Sequence, residues 1–303
     1  MPREPFYWIL NMSIIASFIG VIVWLIGKIR MLPRRVFVFL WAIPFIRMLI
    51  PFGITSRYSL MTLVAKLTTR SITVYRIENA GPFAWTITWP NTVMVVEETS
   101  PMGYRSPSLK SIFARASVVW LIGTAVVLLT AAIIYILTMR EIKGARHWKD
   151  NVFLSDKVDC PSVYGVFRPR IVLPSSWTGQ EIKNIILHEN THIRRKDNFW
   201  RLLGLFATAV HWFNPLSWFF YKEFLSNLEI ACDESSVAKM SQQERKEYAT
   251  TLVNATVASG FGGAIFRKRI EAVLSFRRIT VFSAICFAVL VLVIAFALLT
   301  NAV

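Results

Sequence analysis

The sequence has 303 residues, 54% of them apolar, and a formal net charge of +16. So large an apolar fraction excludes one ordinary water-soluble domain, and it directs the search to membrane-spanning segments. The positive charge does not require a nucleic acid, because the basic residues mostly flank apolar segments, where they would meet anionic lipid headgroups. We therefore expect contact with a lipid bilayer and no direct contact with nucleic acid.

Four apolar segments predict membrane spans. Residues 6–27 and 116–138 are free of charged side chains over 22 and 23 residues, long enough at about 1.5 Å per residue to cross a hydrocarbon core of about 30 Å. Residues 279–303 are also uncharged and predict the last span. Residues 36–50 predict a shorter one, because a proline and an arginine interrupt them. The first segment predicts an uncleaved anchor, since it is longer than the apolar region of a signal peptide.

Clusters of Lys and Arg at three borders of these segments set the expected orientation, because such borders face the cytosol. The clusters are Lys28, Arg30, Arg34 and Arg35; Arg140, Lys143, Arg146 and Lys149; and Arg267, Lys268, Arg269, Arg277 and Arg278. Both termini are then outside. The expected fold is an α-helical polytopic protein of the cell membrane with about four transmembrane helices. It divides into residues 1–54 with two spans, an external loop 55–115, a third span 116–138, a cytosolic domain 139–278 and a fourth span 279–303.

The cytosolic domain is expected to begin with short strands and to continue with helices. Residues 151–174 alternate short apolar runs with Pro and Gly, which predicts two or three strands joined by turns. Thr178 and Glu181 have the spacing of a capping box, so a helix is expected to begin there and to run to about Arg195. The domain therefore combines α and β elements.

Two further helices are predicted by the residues at their N-terminal ends. Asn214 caps one of them, with Pro215 at its first position, and Ser241 with Glu244 repeats the capping-box spacing at the start of another. Residues 199–220 are apolar enough to suggest a fifth span, but polar residues and Pro215 divide them into two short helical pieces. Burial against the bilayer surface and the domain core suits these pieces better than a crossing of the membrane.

A His-Glu-x-x-His motif lies inside the first predicted helix of this domain. His188 and His192 are four residues apart, so both imidazoles can reach one ion, while Glu189 lies beside a water bound to that ion. Catalytic zinc needs a third protein ligand, and Glu229 is the expected one. Asp233 lies four residues later, where it can accept the free N–H of a ligating histidine. In such a site Glu189 takes a proton from the water and passes it to the leaving amine of a cleaved peptide bond.

Several alternatives stay open at this site. The motif alone is a weak signal, because the same three residues occur at this spacing on solvated helices. Glu234 is an alternative third ligand, although it has no acidic partner four residues later. His211 is expected to be a packed or interfacial histidine, and Cys232 a small buried side chain. The three cysteines are odd in number and widely spaced, so no disulfide framework is expected among Cys160, Cys232 and Cys286.

Four stretches of the sequence resemble one family of proteins. They are HENTHIRRKD from His188 to Asp197, HWFNPLSWFFYKE from His211 to Glu223, EIACDE from Glu229 to Glu234, and VYGVFRPRIVLP from Val163 to Pro174. These motifs, and the order of four spans around a cytosolic domain, are similar to those of the BlaR/MecR-type membrane zinc metallopeptidases. That family is the peptidase portion of beta-lactam sensor-transducers, and the resemblance covers nearly the whole chain.

The resemblance implies a gluzincin-type peptidase domain and zinc-dependent metalloendopeptidase activity. It implies that His188, His192 and Glu229 hold Zn2+. Glu189 would then be catalytic. Asp233 would accept a hydrogen bond from one of the metal ligands without contacting the metal itself. Members of the family transmit an external signal through the spans and then cleave a cytosolic transcriptional repressor, themselves, or both. The expected function is signal transduction in a beta-lactam antibiotic response.

The resemblance also sets expectations for partners. The expected substrate is a cytosolic repressor, and residues 267–278 are a candidate self-cleavage segment. The antibiotic sensors carry an external penicillin-binding domain after the last span, where this sequence ends at Val303, so an external sensor domain or a partner is expected to receive the antibiotic. The external loop around Trp85 and Trp89 is another candidate receiver, unless these side chains form a membrane-interface aromatic belt. A homodimer is a further candidate arrangement.

Two other functions stay open. A CAAX-processing or membrane quality-control protease also joins this motif to a later ExxxD among spans, although the FNPL and EIACDE strings favour the regulatory family. A non-enzymatic membrane receptor would keep the scaffold without catalysis. Such a scaffold does not need all four candidate metal-binding and catalytic residues, so their joint presence favours an enzyme. These residues are His188, Glu189, His192 and Glu229.

Overall fold

A computed structural model describes residues 5–28, 33–50, 107–175, 181–259, 264–276 and 281–299. They are mostly helical, with one small sheet. The helices are α1 (Pro5–Ile26), α2 (Arg34–Leu40), α3 (Ala42–Leu49), α4 (Pro107–Ile142), α5 (Glu181–Arg195), α6 (Asp197–Val210), α7 (Pro215–Ser236), α8 (Gln242–Ser259), α9 (Ala264–Leu274) and α10 (Val281–Leu299). Most of the predicted external loop, with Trp85 and Trp89, lies outside the described residues, as do Thr178 and Val303.

Two of the helices are long and apolar enough to cross a membrane, judged by length and composition over the described residues. They are α1 and the part of α4 from Ser111–Ile142, and α4 extends beyond the predicted third span at both ends. The apolar stretches Phe37–Leu49 and Ile285–Leu299 are shorter. A turn at Trp41 divides the predicted second span into α2 and α3, because Pro44 has no N–H to donate to the carbonyl one turn earlier.

The largest hydrophobic core joins the first three helices to α7 and α10. Trp41 and the Phe220 ring of α7 are completely buried in it, and burying a large apolar side chain stabilises a fold by about 1.5–3 kcal/mol. Gly20 of α1 permits the close approach of Phe220, since a Cβ at Gly20 would lie 2.2 Å from that ring. The helix that carries the predicted acidic residues of the site is therefore packed directly against the apolar helices.

The sheet has four strands in the order β1-β2-β4-β3, which are Arg146–Lys149, Val152–Ser155, Arg170–Pro174 and Ser162–Tyr164 in that order. β2 and β4 pair in parallel. β1 pairs antiparallel with β2, and β3 pairs antiparallel with β4. The prediction of two or three strands within residues 151–174 is confirmed. β1 was not predicted, because all four of its side chains are exposed and no alternation marks it. Ile171 and Leu173 pack with Ile185 of α5, so the sheet supports that helix.

The predicted starts of two helices are confirmed by their capping bonds. The Asn214 side chain accepts a hydrogen bond from the Leu216 N–H, with Pro215 as the first residue of α7. At the start of α8 the Ser241 N–H donates to Glu244 Oε2 at 2.7 Å, and the Glu244 N–H donates to Ser241 Oγ at 3.3 Å. Each bond satisfies a backbone donor that the helix itself leaves free.

The helix of the HENTH segment ends at Arg195, as predicted. Lys196 adopts a left-handed conformation with φ of 57° and directs the chain into α6. Residues 199–220 are divided between α6 and α7, which confirms the predicted break. The second piece is the start of α7, the helix predicted to begin after Asn214, which continues for 22 residues to Ser236 because neither proline nor glycine follows Pro215 within it.

Candidate metal centre

Two neighbouring helices bring the five residues of the predicted site together. α5 carries His188, Glu189 and His192, and α7 carries Glu229 and Asp233. The two helices pack against each other, and the spacing within each set places its members on one helix face. Four of the five side chains are buried and Glu229 is partly exposed. The sequence prediction thus corresponds to one compact group of side chains.

The Nε2 atoms of the two histidines face each other. His188 Nε2 lies 3.1 Å from His192 Nε2. The carboxylate of Glu229 spans both rings, with Oε2 3.6 Å from His188 Nε2 and Oε1 3.5 Å from His192 Nε2. Two imidazole nitrogens and one carboxylate therefore converge on the same point between α5 and α7.

The opposite nitrogen of each histidine is held by a buried carboxylate. His188 Nδ1 lies 3.1 Å from Asp233 Oδ1, and His192 Nδ1 lies 2.6 Å from Asp197 Oδ2. The Tyr248 hydroxyl lies 2.9 Å from His188 Nδ1 and donates to Asp233 Oδ1, also at 2.9 Å. An ionised carboxylate can only accept hydrogen bonds, so a neutral ring would carry its proton on Nδ1 and leave its Nε2 lone pair free to bind a cation.

Two arginines face the acidic residues of the site. Arg269 of α9 donates to both oxygens of Asp233, at 2.7 and 3.0 Å, and its Nη1 lies 3.5 Å from Glu229 Oε2. Arg201 of α6 lies 2.5 Å from Glu229 Oε1. Both Glu229 and Asp233 are therefore paired with a guanidinium from another helix, which offsets part of the cost of burying their charges.

These contacts keep both carboxylates ionised. Burial opposes ionisation of Asp233, but Arg269 and His188 lower its pKa to about 2. Burial also opposes ionisation of Glu229, but His192, His188 and Arg269 hold its pKa well below the usual value. At neutral pH the site therefore contains two negative side chains next to two imidazoles.

The same environment favours positive charge on the histidines. Burial opposes the charged form of His192, but Glu229 and Asp197 raise its pKa well above the ordinary value. The pKa of His188 is also raised against burial, by the Cys232 thiol and by its hydrogen-bonded neighbours. A group of side chains that attracts protons this strongly also attracts a metal cation, which binds in place of the protons.

A cavity of about 230 Å3 opens onto this group of side chains. Glu189 lines it beside His188, His192 and Glu229, although only 7% of Glu189 is exposed. Other lining residues come from β3 and the segment before it, and from α8 and α9. A carboxylate able to move a proton therefore shares one cavity with the converging histidine nitrogens.

Cys232 is a second candidate for the third ligand. It is completely buried, as predicted, and its sulfur forms with His188 and His192 a group whose ligand atoms lie within 4.8 Å of one another. All three cysteines of the chain are free. The Cys232 sulfur lies on the Nδ1 side of His188, 3.7 Å from that atom, and donates to the His188 carbonyl. Asp233 also contacts this nitrogen, whereas the Glu229 carboxylate faces the Nε2 side of both rings.

Two residues weighed as alternatives lie elsewhere. The Glu234 carboxylate accepts hydrogen bonds from the backbone N–H groups of Arg34 and Arg35, at 3.2 and 3.1 Å, and so caps the start of α2. His211 is completely buried, and its Nε2 donates to the Met48 carbonyl at 2.9 Å. The prediction of a packed histidine is confirmed.

Sequence reasoning missed four side chains that contact the site. Asp197 is within the HENTHIRRKD motif, five residues after His192, but the turn that brings it back to the ring depends on the left-handed backbone of Lys196, which the sequence does not indicate. Tyr248, Arg201 and Arg269 come from three other helices. No spacing within the sequence connects them to the motif, so only the tertiary fold could reveal them.

Comparison with known proteins identifies the family. A family model described as BlaR1 peptidase M56 matches residues 7–272, most of the chain. The chain belongs to this family. The M56 family consists of membrane-associated metallopeptidases, and the two long apolar helices of this chain are in keeping with membership.

The relatives of this M56 chain include regulators of antibiotic resistance. It is 28% identical to the regulatory protein BlaR1 of Bacillus licheniformis over 172 residues, which are 49% of this chain and 29% of that protein. It is 26% identical to the methicillin resistance protein MecR1 of Staphylococcus aureus strain Mu50 over 107 residues, 34% of this chain and 18% of that protein. The match to MecR1 of Staphylococcus epidermidis has the same extent. The chain thus matches less than a third of the length of these relatives, and the predicted resemblance is confirmed.

The family implies a metal ion, and the converging side chains fit one. In a tetrahedral site with metal–nitrogen distances of about 2.0–2.1 Å, two ligating nitrogens lie about 3.3 Å apart. The two Nε2 atoms are 3.1 Å apart, and the Glu229 oxygens lie 3.5 and 3.6 Å from them. Both rings are also oriented by a carboxylate on Nδ1, as metal-binding histidines are.

Proposed function

We propose that the chain is a zinc-dependent metalloendopeptidase of the gluzincin type. The observation that carries this proposal is the convergence of His188 Nε2, His192 Nε2 and the Glu229 carboxylate in the cavity that Glu189 lines. Two imidazoles and one carboxylate form the ligand set of catalytic zinc in a large class of peptidases, where a fourth position is left for water or substrate.

Each side chain has a role that its contacts support. His188, His192 and Glu229 would hold zinc, which when bound polarises the scissile carbonyl and acidifies a water molecule. Glu189 accepts a proton from the attacking water and delivers it to the amine of the departing peptide. Asp233 keeps His188 in the tautomer whose Nε2 is free to bind the metal.

Three further side chains support this arrangement. Asp197 holds His192 in the corresponding tautomer. Tyr248 donates a hydrogen bond to Asp233, and Arg269 contacts the carboxylates of both Asp233 and Glu229. These contacts fix the orientation of the ligands before substrate arrives, which is how supporting residues raise the affinity of a metal site.

We also propose that the chain is a multi-pass protein of the cell membrane whose catalytic domain, residues 139–278, faces the cytosol. The membrane segments would be α1, the α2–α3 pair, α4 and α10. Basic clusters at three of their borders support this orientation. The apolar surface of α4 supports a lipid environment, since side chains such as Leu129, 62% exposed, repeat along its length.

The relatives suggest a regulatory role for the peptidase. They are named a regulatory protein and methicillin resistance proteins. We propose that this chain acts in signal transduction in a beta-lactam response and cleaves a cytosolic transcriptional repressor, itself, or both. An external sensor domain or a partner would supply the signal.

The test compares the parent chain with Glu189→Gln, both purified in detergent and analysed for zinc. Each is incubated with the repressor encoded beside its gene, and mass spectrometry follows cleavage of the repressor and of the chain. We expect zinc in both proteins and cleavage only by the parent, reduced about 10²–10⁴-fold or more in the variant. Glu247→Gln, a change in an exposed carboxylate on α8, is the matched control and should cleave like the parent.

Two results would contradict the proposal. Zinc in both proteins without cleavage of either candidate would contradict the proposed substrates. Absence of zinc from both, after purification in its presence, would contradict the metalloendopeptidase itself and leave the non-enzymatic receptor.

A further inference from the structure

The residues between Arg201 and Lys222 form a helical hairpin without a charged side chain. Residues 202–221 contain no Asp, Glu, Lys or Arg. They comprise most of α6, a tip of four residues, 211–214, and the start of α7. The Tyr221 hydroxyl donates to the Arg201 carbonyl at 3.2 Å, so the two arms meet at a charged base. We call residues 202–221 the hairpin.

The hairpin lies alongside α1. At the tip, Asn214 Nδ2 donates to Ser13 Oγ at 2.8 Å and to Ser17 Oγ at 2.7 Å. Nearer the base, the Phe220 ring occupies the space that Gly20 leaves. The contacts advance along both helices in the same direction, so α7 and α1 run parallel.

These contacts give the depth of the tip. Ser13 and Ser17 are the ninth and thirteenth residues of the 22 in α1. At about 1.5 Å per residue they lie about 12 and 18 Å along a helix of about 33 Å. The arms of the hairpin are themselves about 10–14 Å long by the same rise. The tip therefore reaches at least the middle of a helix that is long enough to cross a bilayer, and the ring of its Phe213 extends to Phe6 near the start of that helix, with ring centroids 5.1 Å apart.

A second long helix holds the tip within its apolar part. Trp120 Nε1 donates to the Val210 carbonyl at 2.7 Å, and Trp212 Nε1 donates to the Trp120 carbonyl at 3.3 Å. Gly123 makes room for the indole, since a Cβ there would lie 2.4 Å from Trp212. These α4 residues lie inside Ser111–Ile142, the stretch long enough to span. Two candidate spans therefore fix the tip independently.

The backbone carbonyls of the turn accept hydrogen bonds from protein side chains, as those of a non-helical backbone at membrane depth must. Three consecutive carbonyls accept side-chain hydrogen bonds: Val210 from Trp120, His211 from Ser217 and Trp212 from Trp218. The His211 ring donates to the Met48 carbonyl, and its Nδ1 has no partner among the residues that the structure describes. The turn thus needs no water for these carbonyl groups.

Both arms of the hairpin carry exposed apolar side chains. These side chains are 38–53% exposed and belong to Leu202, Phe206, Leu216, Trp218 and Phe219. They follow both arms from base to tip. At the depth given by α1 and α4, the medium that surrounds them is lipid acyl chain, where exposed apolar side chains carry no penalty.

We propose that residues 202–221 are a re-entrant hairpin, which enters the bilayer from the side of the candidate metal centre, reaches at least its middle and returns, with its exposed apolar side chains against lipid acyl chains. This replaces the expectation that these residues lie at the bilayer surface. The inference rests on the proposed membrane spanning of α1 and α4, and it is independent of zinc and of peptide cleavage.

The hairpin also fixes where the candidate metal centre lies. Arg201, at the charged base, forms an ion pair with Glu229 of the candidate metal centre. A base of charged residues belongs at the boundary between hydrocarbon and water. The cavity would therefore open close to the membrane surface, where it would receive peptide segments that lie near the bilayer.

The test uses the full chain in phosphatidylcholine vesicles that contain a phosphatidylcholine with a diazirine at the end of one acyl chain. After irradiation, mass spectrometry locates the lipid adducts. We expect adducts on the hairpin, above all at Leu216 and Trp218 near the tip, and on Leu129 and Ile133 of α4. Phe167 is the control: it is 97% exposed but lies between β3 and β4, and it should carry none.

The outcomes separate the hairpin from the wider proposal. Adducts on α4 without adducts on residues 202–221 would overturn the hairpin and leave α4 as a span. Absence of adducts from α4 as well would contradict the spanning of α4 and with it the depth argument. Adducts on Phe167 as frequent as those on Leu216 would show reaction with any exposed apolar side chain, and would also overturn the inference.

Paired substitutions give a second readout. A charged side chain in contact with acyl chains is costly, so Leu216→Arg should reduce the amount of folded chain recovered from membranes several-fold. Phe167→Arg should leave that amount unchanged, because its side chain is expected to face water. Equal recovery of both variants at the parental level would contradict contact of Leu216 with lipid.

Discussion

The two ends of α7 are held in opposite ways. At its C-terminal end, Glu229 and Asp233 contact two histidines and two arginines, so the closest contacts there join ionisable groups. At its N-terminal end, Asn214 is held by the hydroxyls of Ser13 and Ser17, in a hairpin without a charged side chain. One 22-residue helix therefore connects an ionic site with a neutral, apolar tip.

This difference predicts how each end responds to mutation. Removing one partner from a buried ionic group leaves a charge uncompensated, which is strongly unfavourable and changes what the group can bind. Neutral hydrogen bonds contribute only about 0.5–1.5 kcal/mol each to stability. We therefore expect changes at the C-terminal end to act on metal affinity, and changes at the N-terminal end to act on the stability of the fold.

The largest effect should come from removing the carboxylate that faces both histidines. Glu229→Gln is expected to lower zinc affinity by more than the roughly 10–100-fold typical of supporting residues, because it weakens a direct ligand. Competition with a fluorescent zinc chelator measures this change. Cys232→Ser is the matched variant on the same helix and should retain zinc. The reverse order of affinities would make the thiol the third ligand.

A smaller effect is expected one turn further along α7. Asp233→Asn cannot orient His188 as a carboxylate does, and zinc affinity should fall about 10–100-fold. The same chelator competition applies, with Glu271→Gln on α9 as control. An unchanged affinity would mean that the contact between Asp233 and His188 Nδ1 does not contribute to metal binding.

At the apolar end, the change should appear in stability. Gly20→Leu would force the Phe220 ring from its place, since even a Cβ would lie 2.2 Å from it. Overpacking of this kind costs about 1–3 kcal/mol, and thermal unfolding in detergent should show a lower Tm. Gly144→Leu is the control, because nothing lies within 4 Å of a Cβ there. A tenfold loss of zinc affinity in Gly20→Leu would show that the two ends do not act separately.

The smallest effect is expected from the hydroxyls that hold the tip. Ser13→Ala with Ser17→Ala removes two acceptors from Asn214 and should lower the free energy of unfolding by about 0.5–1.5 kcal/mol per bond. Thr130→Ala is a suitable comparison, since its hydroxyl donates only to the Val126 carbonyl of its own helix. If the double variant is no less stable than Thr130→Ala, the hydrogen bonds of Asn214 do not contribute to holding the tip.

The parts of the fold that could be predicted from sequence are those whose signals are local. Asn214 with Pro215, and Ser241 with Glu244, begin helices through bonds to backbone atoms two or three residues away. The division of the second apolar segment follows from Pro44, although the sequence alone suggested one short span. β1 gave no such signal, because its four side chains are all exposed.

Only the site residues that share a helix with the right spacing could be predicted from the sequence. His188 with His192, and Glu229 with Asp233, are each four residues apart on one helix. The depth of residues 202–221 could not be predicted, because an apolar helix has the same pattern at the bilayer surface and inside it. That depth depends on contacts with α1 and α4, which are distant in sequence.

The most direct test of the proposed metal centre is X-ray absorption spectroscopy at the zinc edge on the purified Glu189→Gln chain. If His188, His192 and Glu229 hold the ion, the spectrum will show about one zinc per chain surrounded by nitrogen and oxygen at about 2.0–2.2 Å. It will contain imidazole scattering and no sulfur. A sulfur neighbour at about 2.3 Å would identify Cys232 as a ligand in place of Glu229, and a chain that binds no zinc would contradict the metallopeptidase site.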